Sequence, residues 1–199
     1  MAPSKKEKQH QIHNERREQI LGAAVKVFSR RGVVGTKMSM IAEEAGISHG
    51  LLYHYFKSKD ELFTTLVEWA MEQSHSTMMY VYQLPGSPIE KIKTLTEIIL
   101  HEGDSAYFML IHQARTSDGV PERANELIKQ YPIKTYVDQL LPLFEEGQRV
   151  GEIVAGDSRK LISCYLSIIS GLMLLGAAQG DGDYYKPEVD ILLRIITGS

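Results

Sequence analysis

Between Thr36 and Leu62 the chain concentrates side chains that can read or hold a polyanion. His49, Tyr53, His54, Tyr55 and Lys59 place ring N–H groups, phenols and an ammonium close together in sequence. Thr36 can accept a hydrogen bond from the backbone of a helix starting at Lys37, with Ser39 three residues on. Ile41, Ala42 and Ala45 give that helix one apolar side, and Gly46 supplies a left-handed turn at no steric cost. Ile47 then points inward, and Ser48 caps a second helix, HGLLYHYF. Two short helices joined by about three residues with a Gly in the turn predict a helix-turn-helix, a device for DNA recognition. Ser58 and Glu61 form a Ser-x-x-Glu capping box that opens a third helix.

This stretch resembles the DNA-binding signature of the TetR family of bacterial transcriptional regulators. The resemblance is carried by Ile41-Ala42, Ala45-Gly46-Ile47-Ser48, Leu52-Tyr53-His54-Tyr55-Phe56 and Lys57-Ser58-Lys59. It is strong over residues 15–65 and architectural beyond them, although Gly147-Gln148-x-x-Gly151-Glu152-Ile153 is similar to the family's less constant C-terminal part. A recognition helix offers its N-terminal residues to base edges in the major groove. By position in the family, His49, Gly50, Leu51 and His54 face bases, while Tyr53, Tyr55 and Lys59 reach phosphates. Ser39 falls where the family places a further contact, and Thr36, Lys37 and Ser48 complete the expected DNA-binding set. Leu51 departs from the small polar residue common at its place, and a thymine methyl is what it can contact. Core packing is the competing role for Leu51, Tyr55 and Phe56.

Other chemistry is poorly supplied. His10 and His13 lie near the N-terminus, and His75, His101 and His112 fall on different helices without a cysteine partner or compact acidic set. That is not metal-ligand spacing, so no metal and no cofactor are expected. No Ser/His/Asp arrangement, phosphate-binding glycine loop or dinucleotide motif is present, which argues against an enzyme. Helices that the family uses to enclose a ligand carry adaptable Met and aromatic residues, suited to an apolar or amphipathic small molecule. Trp69, Met78, Tyr107, His112, Tyr136, Phe144 and Tyr165 are the expected lining, with Tyr107 and His112 as polar contacts. Each of these could equally be plain core.

The 199 residues have a formal charge of −3, but residues 1–59 hold 11 Lys/Arg against 5 Asp/Glu, and the remainder 11 against 20. A basic N-terminal third on an acidic chain fits phosphate contact at one end. The single Cys164 excludes an intramolecular disulfide framework and fits a reducing compartment. No signal peptide is visible in the polar N-terminus, so the expected location is cytoplasmic. Leu161 to Ala178 is free of formal charge and reaches the lower limit of a membrane span. Its three serines and two glycines, and the Gly-Asp-Gly-Asp that follows, favour a helix buried on several sides.

No segment alternates with a period of two, so the fold is expected to be all-α, with about nine helices. Residues 1–14 are read as a mobile basic arm, 15–58 as a three-helix helix-turn-helix domain and 59–199 as a larger helical domain for ligand binding and dimerisation. Gly32 ends the first helix. The helix opened by Ser58 runs toward Tyr82, and Pro142 interrupts the pattern of Ile133–Arg149 with an expected kink. Ser158 caps the long apolar helix, and Pro187 opens the last. The resemblance implies a homodimer whose seam is these last two helices, through Tyr165, Ile169, Leu172, Met173, Leu192 and Ile196. The implied function is a ligand-responsive repressor bound to a double-stranded DNA operator. The alternative is a structural DNA-binding protein of the same fold with no effector.

Overall fold

The computed structural model describes residues 5–100, 105–179 and 188–198. His101, Gly103, Asp104, the Gly180–Asp183 turn and the expected helix start at Pro187 lie outside the described residues. Ten α-helices and one 3-10 turn form among the described residues, with no strand. They are α1 (Lys5–Gly35), α2 (Met38–Glu44), α3 (His49–Tyr55), α4 (Lys59–Tyr80), the 3-10 turn (Val81–Gln83), α5 (Pro88–Ile99), α6 (Ser105–Thr116), α7 (Glu122–Gln130), α8 (Ile133–Arg149), α9 (Ser158–Gln179) and α10 (Val189–Thr197). The first helix begins at Lys5 rather than at Glu15. Gly32 ends its regular part, with φ 69° and ψ 175°, and a short helical piece follows to Gly35.

The helices sort into two compact units. The first comprises residues 1–69 together with 110–128. Its core is built from Ile20, Ala24 and Phe28 of α1, Ile41 of α2, Leu52 of α3 and Leu62, Phe63 and Leu66 of α4, all essentially without exposed surface. Phe28 and Phe63 meet edge to face, with ring centroids 5.0 Å apart. Leu110, Ala114 and Ala124 are buried in the same unit, and Gln113 donates from Nε2 to the Ser29 carbonyl (2.8 Å).

The second unit comprises residues 70–109 and 129–199, centred on Ile92, Leu95, Leu140, Phe144, Ile162 and Tyr165. The Gly147–Ile153 stretch has a clear local purpose here. Gly147 is buried so tightly that a Cβ would come within 2.6 Å of Ile153 Cδ1. Gln148 donates to the carbonyls of Val154 (2.8 Å) and Gly156 (3.1 Å) and accepts from Ser158 Oγ (2.8 Å), which pins the α8–α9 connection. Glu152 accepts from the Ile89 amide at the start of α5 (3.0 Å). Ser158 is therefore not the cap of α9. Asp157 is, accepting from the amides of Arg159 (3.0 Å) and Lys160 (3.2 Å). Pro142 lies within the continuous α8 on its exposed side, and one turn earlier the Tyr82 hydroxyl donates to the Gln139 carbonyl.

Candidate nucleic-acid interface

The turn between α2 and α3 is set by Gly46, at φ +62°. The Gly46 amide donates to the Glu43 carbonyl (3.0 Å) and the Ile47 amide to Ala42 (2.9 Å), the paired bonds of a Schellman motif. Ser48 then opens α3, its Oγ accepting from the Leu51 amide (3.2 Å). Leu52 is fully buried and fixes the rotation of this two-turn helix. His49, Gly50, Leu51, Tyr53 and His54 are all left exposed, with Lys37 and Ser39 exposed beside α2 and Ser48 at the cap. A Cβ on Gly50 would meet nothing within 4 Å, so an approaching backbone has room there. The His49 and Tyr53 rings are perpendicular, 4.9 Å apart. Leu51, at 37% exposure, is not a core residue, whereas Phe56, at 2%, is. Tyr55 is half-buried.

Thr36 is a correction. Its side chain is buried, and its hydroxyl donates to the Gly32 carbonyl (2.7 Å) instead of capping α2, whose N-terminal flank is Lys37 with no side-chain cap. The break at Gly32 frees the carbonyl that claims the hydroxyl. Thr36 braces the end of α1, and its buried hydroxyl is committed there. Lys59 also differs from a free phosphate ligand, because its half-buried side chain donates to the Val33 carbonyl (2.7 Å). An ammonium has three donors, so one bond does not exhaust it. The box at Ser58 is formed slightly displaced. Glu61 donates its amide to Ser58 Oγ (3.0 Å), while its carboxylate accepts from the Lys57 amide (2.7 Å).

Sequence reasoning missed two residues of this unit. Gln19 donates from Nε2 to the Ala45 carbonyl (2.7 Å) and ties α1 to the end of α2. Arg17 lies over the Phe56 ring, 5.3 Å from its centroid. Both partners are far away in sequence, so no local pattern announces them.

The expected ligand-lining residues are divided between the two units. Trp69 and His112 belong to the first unit, Trp69 with 43% of its surface exposed. Met78, Tyr136, Phe144 and Tyr165 are buried in the second unit, to which the half-buried Tyr107 also belongs. Thr96 spends its proton on the Ile92 carbonyl (2.7 Å), so the Tyr165 hydroxyl donates to Thr96 Oγ1 (2.8 Å). Burial drives the Tyr165 phenol well above its ordinary range, against the opposing effect of the Thr96 bond. The described hollows of this unit lie elsewhere. One, open and of about 600 Å³, is lined by Ser76, Thr77, Met79, Tyr80, Gln83 and Ile98. Among the described residues no group of three or more His, Cys, Asp or Glu could hold a metal.

Four of the six expected seam residues are buried within the single chain. Tyr165, Ile169, Leu192 and Ile196 are at most 5% exposed, packed inside their own unit. Leu172 and Met173 are half-exposed. Ser158–Gly176 is long and apolar enough to cross a membrane, and only 22% of that window is buried. It is thus covered on one side, not on several. Its open side carries Cys164, Ser167 and Leu175, and Ile191 and Ile195 of α10 are 55% and 44% exposed.

Residues 20–66 match the family model described as bacterial regulatory proteins, tetR family. The transcriptional regulator AcrR of Shigella flexneri is 34% identical over 97 residues, 47% of this chain, and the matched stretch spans only 43% of that relative. Among solved structures, a putative fatty acid metabolism regulator of Clostridium perfringens is 25% identical, with TM-score 0.67, over 91% of this chain and 98% of that one. FadR of Bacillus subtilis, solved in complex with stearoyl-CoA, is 25% identical, with TM-score 0.64, over 92% and 98%. Residues 20–66 thus carry the DNA-binding signature of the tetR family of bacterial regulatory proteins, on a fold that the chain shares with a solved regulator over nine-tenths of its length.

Proposed function

We propose that this regulator is a homodimeric repressor that binds a near-palindromic operator in the bacterial cytoplasm and is released by a small amphipathic effector. The observation that carries DNA binding is the exposed row His49, Gly50, Leu51, Tyr53 and His54 on α3, locked by the Ser48 cap and the buried Leu52. His49, Leu51 and His54 read base edges, and Tyr53, Tyr55 and the remaining donors of Lys59 hold phosphates. Residues 15–58 are the DNA-binding part, and 59–199 carry effector binding and dimerisation. The open apolar side of α9, with Ile191 and Ile195, supports a two-fold partner, because its small residues permit close helix approach. Half-site centres then lie about one or more helical turns apart, roughly 34 Å per turn.

FadR's stearoyl-CoA complex and the Met-rich, aromatic second unit together support an effector with a long apolar chain. Such a ligand acts by preferring a conformation whose recognition helices no longer match the operator spacing. A coupling of about 1–3 kcal/mol suffices, and operator must weaken ligand binding by the same factor. The effector-free alternative is favoured by one observation, the tight packing of Tyr136, Phe144 and Tyr165 where ligand lining was expected.

Selection of bound duplexes from a random pool should return a symmetric motif. An unpaired half-site held by a monomer would refute the dimeric reading. Titration of stearic acid and stearoyl-CoA with and without the selected duplex separates the two effector readings. Equal affinity in both conditions, or no binding, favours the effector-free protein.

A further inference from the structure

We infer that α1 carries a second, proton-dependent phosphate contact, formed by His13 and Arg17 beside the end of the recognition helix. This rests on the reading of α3 as the DNA-reading helix. The His13 ring lies 4.7 Å from the Tyr55 ring at a 33° tilt, and one turn later Arg17 covers Phe56. Two successive turns of α1 therefore abut the last two aromatic residues of the YHYF run. Gln19, bonded to the Ala45 carbonyl, fixes the same helix to α2, so this placement is tied at both helices of the motif.

Charge is sorted around α1. At 3.6 residues per turn, His13, Arg16, Arg17 and the core residue Ile20 share one side. Glu15 and Glu18 fall on the other, where Glu15 accepts from Gln11 (3.0 Å). The cationic side is thus the side that meets α3. His13 and Arg17 are themselves exposed, and His13 lies against the ring of Tyr55, the residue read as a phosphate contact. The groups near the His13 ring are Tyr55 and, against it, His54 of α3 (ring centroids 5.6 Å apart), with Arg16 and Arg17 on its own helix. Arg16 and Arg17, on the same side of α1, are both cationic. A DNA phosphate supplies a counter-charge, so proton uptake accompanies binding.

The test uses the full chain and its selected duplex, with Kd measured at pH 8 and pH 6 over a range of salt. His13→Phe keeps the ring packing against Tyr55 and removes the proton. His49 and His54 are present in both proteins, so the difference between wild type and variant reads out His13. At pH 8 the two should bind equally. At pH 6 wild type should bind roughly two- to fivefold more tightly than the variant, the size of an exposed charge contact. Its salt slope there should be steeper by about one. Arg17→Gln should flatten the slope at both pH values, on operator and on unrelated duplex alike. An identical pH response of His13→Phe and wild type, with an unchanged slope for Arg17→Gln, overturns the inference. Failure of wild type to bind any duplex instead overturns the DNA-binding reading beneath it.

Discussion

The Lys59 ammonium donates to the Val33 carbonyl, 2.7 Å away and 26 residues earlier. The carbonyl belongs to the short piece of α1 that follows the Gly32 break. One cation at the start of α4 thus stabilises the irregular end of another helix. Hydrogen bonds to a charged group contribute roughly 1.5–3 kcal/mol, so Lys59→Ala should lower stability by about that amount. A residue that only touched phosphate would leave stability unchanged. Urea denaturation of Lys59→Ala beside Tyr53→Phe makes the comparison, with Tyr53→Phe expected to weaken DNA binding while unfolding like wild type.

Two glycines four residues apart should respond oppositely to alanine. Gly46 holds φ +62°, which costs a non-glycine residue roughly 1–2 kcal/mol even though a Cβ there meets nothing. Gly46→Ala is expected to destabilise by that amount. Gly50 sits inside α3 without a positive φ, and a Cβ there is also unobstructed. Gly50→Ala should stabilise the fold by about 0.4–1 kcal/mol while weakening operator binding, because the new methyl occupies the space left for DNA. Thermal unfolding and operator titration of both variants check the pair.

What was legible in the sequence is what is decided within four residues. The Gly46 turn, the Ser48 cap and the Ser58–Glu61 bond each depend on a side chain and an amide close by in the chain. Thr36 and Ser158 have the same composition cue as Ser48, yet their hydroxyls go to Gly32 and Gln148. A helix break in one case and a glutamine ten residues away in the other outbid the local amides. The burial of several expected seam residues within the single chain has a related reason. A helix apolar on all sides does not tell which residues meet its own chain, and packing against α8 and α10 withdrew Tyr165 and Ile169 into the core.

Asp138 joins α8 to α9 by accepting from Lys134 and Arg159. Those bonds, Lys134 first, hold its carboxyl below the usual carboxylate range. A lowered folded-state pKa contributes stability above the unfolded value, about 3.9, and the contribution is lost as pH falls through the folded value. Asp138→Asn should therefore be slightly less stable than wild type at neutral pH. The gap should close on acidification below about pH 4. Denaturation midpoints for both proteins between neutral and acid pH test the sign, and a gap that widened on acidification would contradict it.

The exposed side of α9 and α10 allows the proposed seam to be separated from the core. Ile169 is 3% exposed, so Ile169→Asp buries an unpaired charge in the monomer and should unfold the chain. Ser167 and Ile195 are exposed in the single chain, Ile195 by 44%. Ser167→Asp and Ile195→Asp should leave the helical content of the monomer intact and place like charges against each other across a two-fold axis. The expected result is a folded monomer in sedimentation equilibrium. Its operator affinity should fall steeply, because two half-sites are no longer engaged by one linked pair of recognition helices. If both variants sediment as wild-type dimers, the partner covers another surface, and the open apolar side of α9 must have a different occupant. If both unfold like Ile169→Asp, that side is already committed to the core and the assignment of its exposed residues is wrong.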